Sequence, residues 1–269
     1  MLIETLKKVE KRRRYLIQSF LVCAFVGCVG FDIIKLSDIP LALACLFIAL
    51  VGTCVLHYPN IKRYNIVPSV LLPLGIISAG VLLLSHYSGL SFALRAVIVL
   101  YVGVMYYLIS LMDNIFLVVY DRDESIPLFR VATSWSQIFH ILIAIPIFAC
   151  IYKLDYRSYE SSSILFILSF IVLMHQVWIQ SFDSDTKRVG VWEMIFLSLF
   201  GSFLVSTGAL ATSYISAEAF LRALFAAAIL LFSINYVNSY LKNELSKKLI
   251  AQYISIVVIF LALLVFITT

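Results

Sequence analysis

Two groups of side chains in this sequence could do chemistry, and most of them stand inside or beside apolar runs. The first is a set of polar residues at helical spacing. Ser134, Gln137 and His140 recur three apart, His175 and Gln176 precede Gln180 by about one turn, Asn235, Asn238 and Lys242 share one helical face, and Glu193 opens another apolar run. Asp113 and Asn114 interrupt a further run, with Arg130 following. Polar groups are costly in a membrane, and where they gather they mark solute, ion or proton pathways. The candidate polar pocket is therefore Asp113, Asn114, Arg130, Ser134, Gln137, His140, His175, Gln176, Glu193, Asn235 and Asn238, open to the cytoplasm. Asp113 or Glu193 would be the acid that couples transport. The alternative is that each is an interhelical hydrogen-bonding or interfacial residue, worth about 1 kcal/mol.

The second group is two acidic pairs, Asp121 with Asp123 and Asp183 with Asp185. Paired carboxylates can hold Mg²⁺ against a diphosphate. The run Asp183-Ser-Asp185-Thr-Lys187-Arg188-x-Gly190 resembles part of the second motif of the intramembrane prenyltransferases, which implies an Mg²⁺-dependent reaction on a lipid diphosphate. That family carries its first acidic motif between its second and third spans, where this chain has His57-Tyr-Pro-Asn-Ile-Lys-Arg63, without an acid. The activity is not carried over. His140, His175, Asp113 and Glu193 are metal-binding residue types, but they come from separate runs, without His-x-x-x-His or Glu-x-x-His spacing. No cofactor and no resident metal are assigned, the four aspartates being the candidates if there is one. No Ser-His-Asp grouping, phosphate-binding glycine loop or His-Glu-x-x-His helix is present.

The elements that must position these groups follow from composition. Of 269 residues, 62% are hydrophobic and 13% charged, against about half and a quarter in a soluble domain. Apolar blocks of the length needed to cross about 30 Å of hydrocarbon recur along the chain. In lipid the backbone must satisfy its own hydrogen bonds, so these blocks are helices. The sequence predicts an all-α polytopic bundle of nine spans, at 15–34, 40–56, 66–85, 90–112, 131–151, 161–180, 191–211, 217–241 and 250–268. It reads as one transmembrane domain over 1–269, with a basic N-terminal segment (1–14) and a long cytoplasmic loop (111–131). Span four has an alternative ending, since the apolar run from Phe92 to Tyr120 could continue as helix. Pro68 and Pro73 make span three the candidate broken helix.

Charge sets the orientation. Fifteen basic residues fall in segments on the side of the N-terminus and five on the other. By the positive-inside rule the N-terminus is cytoplasmic and the C-terminus outside. Trp135, Trp178 and Trp192 fall at the same predicted inner ends. Lys7, Lys8, Lys11, Arg12, Arg13 and Arg14 precede the first span, where they would meet anionic lipid headgroups. The net charge of +5 is thus a topology signal and not one for nucleic acid. The N-terminus reads as an uncleaved first helix. The five cysteines lie in apolar runs without a Cys-x-x-Cys pair and read as packing residues. Ser198, Ser202 and Ser206 with Gly201 and Gly208, and Ala219, Ala223 and Ala227, give spans seven and eight small faces for close packing. Two ion pairs are expected, Asp113 with Arg130 and Glu218 with Arg222.

Asn114-Ile115-Phe116-x-Val118, followed by Ile126-Pro127-Leu128-x-Arg130-x-Ala132, resembles a segment shared by an uncharacterised family of polytopic bacterial membrane proteins, a domain of unknown function. The resemblance implies a bacterial inner membrane and no known activity. The leading expectation is a non-enzymatic subunit, scaffold or lipid-handling helper with a membrane-protein partner. The alternatives are a small transporter using the polar cavity and the Mg²⁺-dependent enzyme.

Overall fold

The computed structural model describes residues 11–34, 36–58, 61–62, 65–87, 89–122, 127–154, 156–183, 185–187 and 189–268. Among these, nine helices are long and apolar enough to cross a membrane, and there is no strand. They are α1 (Lys11–Gly30), α2 (Asp38–His57), α3 (Ile66–His86), α4 (Phe92–Arg122), α5 (Pro127–Lys153), α6 (Ser158–Gln180), α7 (Val191–Thr212), α8 (Ala219–Leu241) and α9 (Lys247–Thr268). The protein is an all-α integral membrane protein. Pro73 and Pro146 lie inside continuous helices, so the break expected in span three is not present.

The expected loop over 111–131 is also largely helix. α4 runs 31 residues to Arg122, about 46 Å at 1.5 Å per residue. Continuing the helix buries a stripe of Ile109, Met112, Phe116 and Leu117, each 4% exposed or less. That gain outweighs the poor helical preference of Asp113 and Asn114. α5 then starts at Pro127, and proline favours a first helical position because its missing N–H costs nothing there. Asp123 lies outside the described residues.

Where the sequence reads as one helical domain, packing resolves two compact units, Met1–Asp123 and Glu124–Thr269. In the first, α1 packs on α4, α2 on α3 and α3 on α4. Lys62 pairs with Asp121 at 3.0 Å and lies over the Tyr120 ring. In the second, α6 packs on α7, α7 on α8, and α5 on α8, a pairing distant in sequence. α9 packs chiefly on α8. Spans seven and eight pack closely at Gly201, against Ser233 and not the predicted alanines: a Cβ on Gly201 would stand 2.6 Å from Leu173 of α6 and 3.0 Å from Ser233 of α8. Ser206 turns instead to α6, where it and Ser162 bond at 2.8 Å. Glu218 precedes α8, but the Arg222 guanidinium donates to the Ile215 carbonyl at 2.8 Å in place of the expected pair.

Candidate functional site

Three helix ends of the second unit build a polar cleft. α5 contributes Arg130, Thr133, Ser134 and Gln137, which lie on adjoining faces of its first three turns. α6 ends in Gln180, followed by Asp183. α8 contributes Asn235, Asn238, Ser239 and Lys242, with Glu244 just beyond. All eleven lining residues are polar or charged, and the cavity is about 180 Å³, room for roughly six waters at ~30 Å³ each.

The α8 side is fixed by how that helix stops. Asn243 takes a left-handed backbone, φ 55°, tolerated by asparagine. The Glu244 N–H then reaches the Ser239 carbonyl at 2.9 Å, and the Asn243 N–H reaches the Tyr240 carbonyl at 3.1 Å. This is the paired bonding of a Schellman ending, and it holds Lys242 and Glu244 at the mouth of the cleft. The α6–α7 connection docks on the same end, its Lys187 N–H donating to the Leu241 carbonyl at 2.8 Å. Thr186 ties that connection down through its hydroxyl, which donates to the Gln180 and Asp183 carbonyls.

Two ion pairs stand at the mouth. Lys242 bonds Asp183 at 3.3 Å, with the Asp183 side chain 4% exposed, and Arg130 bonds Asp185 at 2.6 Å in an exposed pair. Inside the cleft, the Asn238 carbonyl oxygen accepts from Gln176 at 3.3 Å and from Gln180 at 3.1 Å. Two buried atoms of the lining have no hydrogen-bond partner: Gln180 Oε1, an acceptor, and Asn238 Nδ2, a donor. A network continues inward from Asn238. The Ser136 hydroxyl donates to the Thr133 carbonyl at 2.8 Å and lies 3.4 Å from Gln176 Oε1, the Ser136 carbonyl meets His140 Nδ1 at 2.7 Å, and His140 Nε2 meets His175 Nδ1 at 2.9 Å.

The predicted pocket is therefore divided. Arg130, Ser134, Gln137, Asn235 and Asn238 line the cleft, while His140, His175 and Gln176 form the buried network behind it. Glu193 faces elsewhere, into an open groove of about 500 Å³ with Phe196, Leu197, Phe200, Tyr236 and Tyr240. It accepts from Tyr240 at 2.8 Å and from Lys187 at 3.0 Å. Its hydrogen bond holds the Lys187 ammonium above the usual lysine range. The helical repeat explains the split, because Asn235 and Asn238 point one way from α8 while Tyr236 and Tyr240 lie about 100–160° round.

Asp113 and Asn114 belong to the first unit and line no part of the cleft. Arg130, which the sequence reading paired with Asp113, bonds Asp185 within its own unit. Asp113 is 2% exposed, and its Oδ2 has no hydrogen-bond partner. Of the aspartates weighed for Mg²⁺, Asp121, Asp183 and Asp185 each bond a lysine or arginine, and Asp123 lies outside the described residues. Among the described residues no three His, Cys, Asp or Glu side chains form a group able to hold a metal.

Gln180 and Lys242, read from the sequence with the same polar residues, and Asp183, read as a metal candidate, also line the cleft, while Thr133, Ser239 and Glu244 complete it without having been read from the sequence. The signal for two of them was the four-residue spacing, Thr133 before Gln137 and Ser239 after Asn235. No family model matches the chain, and comparison with curated proteins and with solved structures gave no match.

Proposed function

We propose that this integral membrane protein binds a small zwitterionic solute of amino-acid size in the cleft of its second unit and carries it across the membrane. The observation that carries this reading is a cavity at the ends of membrane-spanning helices lined by polar and charged residues, which packing alone does not require. Gln180 and Asn238 keep an unpartnered acceptor and an unpartnered donor buried in the wall of the cleft, and its mouth carries ion-paired side chains of both signs. In this reading the cleft opens to the cytoplasm of a bacterial cell, as the basic-residue bias and the resemblance of 114–132 imply. The test is uptake and exchange of the twenty common amino acids, tritium-labelled, in proteoliposomes. Wild-type protein should exchange at least one of them, and Gln180→Leu and Asn238→Leu should reduce that exchange by about tenfold or more, the scale of losing ~1.4 kcal/mol of binding. Exchange unaffected by both substitutions would sink the reading.

A second reading, a subunit of a larger assembly, draws on α9. That helix packs chiefly on α8 and leaves Ile254, Val258, Ile259, Val265 and Phe266 exposed. Lipid covers such a face equally well. Cross-linking from Val258 in native membranes distinguishes them, since a protein partner gives a discrete adduct and lipid does not.

A further inference from the structure

The groove that Glu193 faces is built differently from the cleft. Glu193, Phe196, Leu197 and Phe200 recur at three- and four-residue spacing along one side of α7, and Tyr236 and Tyr240 stand four apart on α8. The two helices thus wall an open groove of about 500 Å³. At Gly201 they approach so closely that a Cβ would stand 3.0 Å from Ser233. Eight residues earlier a long side chain bridges the gap, the Tyr240 hydroxyl reaching Glu193 at 2.8 Å. Between these points the surface is carbon. Phe200 meets the Tyr236 ring at 5.8 Å between centroids, and Tyr236 stacks on Phe232 at 6.2 Å. Phe196 and Phe200 are 65% and 48% exposed on a helix long and apolar enough to span the membrane, so acyl chain and not water meets them.

One end of this carbon surface is charged. α7 has 22 residues, about 33 Å at 1.5 Å per residue and close to the hydrocarbon thickness. Glu193 in its first turn, and Tyr240 in the last turn of α8, therefore stand at the bilayer boundary. Glu193 Oε1 takes two hydrogen bonds, from Tyr240 at 2.8 Å and from Lys187 at 3.0 Å, and among the described residues none falls on Oε2. The Lys187 and Glu193 side chains keep 46% and 32% of their surface exposed, so a headgroup reaches both charges. Trp192, beside them and 74% exposed, is a residue type that settles at headgroup level.

We propose that this groove binds a phospholipid with a zwitterionic, primary-amine headgroup, of the phosphatidylethanolamine class, drawn from the surrounding bilayer. One acyl chain lies along Phe196, Phe200 and Tyr236, the phosphate meets Lys187, and the ammonium donates to Glu193 Oε2. The charges select the headgroup. An anionic lipid without an amine sets its negative charge against Glu193 with nothing to offset it. A trimethylammonium headgroup has no N–H to donate, and the Tyr240 ring that would face it already has Lys187 Nζ over it at 5.5 Å. The primary amine completes an alternating set of two positive and two negative charges. The groove and the cleft share no lining residue, so this site stands or falls apart from the transport reading.

Native mass spectrometry of the full-length protein reads the preference, with phosphatidylethanolamine, phosphatidylcholine and phosphatidylglycerol of identical acyl chains added in equal amounts. Wild type should retain the ethanolamine lipid about fivefold over either competitor, the scale of one exposed ion pair. Glu193→Gln should bring the three to parity. Lys187→Gln should lower retention of all three, because the phosphate is common to them. Equal retention by wild type, or a preference for another headgroup, overturns the proposal, as does an ethanolamine preference that Glu193→Gln leaves unchanged. A phosphatidylethanolamine carrying a diazirine in its acyl chain tests the place on wild type alone. Label concentrated in residues 192–200 and 232–241 supports the groove, and label spread evenly over the other spans overturns it.

Discussion

Asp113 is 2% exposed on a membrane-spanning helix, without an ion pair among the described residues. The buried Tyr15 hydroxyl of the same unit also lacks a hydrogen-bond partner. A buried carboxylate left unpaired costs more than an amide of the same shape. Asp113→Asn should therefore raise stability, by roughly 1–3 kcal/mol, measured as thermal unfolding in detergent. A loss of stability would mean that the carboxyl meets a cation in the intact protein. The expectation from sequence had the opposite sign, because it gave Asp113 the guanidinium that Asp185 holds. Which acid finds which base depends on tertiary packing, and spacing along the chain carries no record of it.

Helices were the legible level. Bilayer thickness fixes how long an apolar run must be, so the ends of α2, α3, α7 and α8 lie within two residues of those read from the sequence, and those of α6 within three. α4 was harder, because Asp113 and Asn114 look like the end of a span and are instead carried inside a continuing helix. Polar residues stood out on α5, α6 and α8 because everything around them is apolar. Glu193 was misplaced because α8 shows different faces to α5 and α7, a fact that only the packing supplies. The contact of α7 with α6 and α8 gives a direct check. Gly201→Leu puts a side chain where even a Cβ would stand 2.6 Å from Leu173 and 3.0 Å from Ser233. It should cost about 1–3 kcal/mol, as overpacking does, or more if backbone must move. An unchanged melting temperature in detergent would contradict this close approach.

For the whole molecule, alternation of nine spans makes one orientation imply every other loop. With the N-terminus cytoplasmic, single cysteines at Lys62, Lys187 and Lys247 should resist an impermeant thiol reagent added to intact cells, and one at Tyr156 should react. The reverse pattern would invert the protein and turn the cleft outward.

The pairing of α5 with α8 also bears on how the chain is made. α5 carries Arg130, Ser134, Gln137 and His140, side chains that a lone helix would expose to lipid. The α8 residues that line the cleft opposite them, Asn235, Asn238 and Lys242, are synthesised roughly 100 residues later, a delay of about 5–20 s at ~5–20 residues per second. During that interval α5 should linger at the insertion machinery or under a membrane chaperone. Nascent chains stalled before α8 emerges should cross-link to such a factor through α5, and chains stalled after it should have let go.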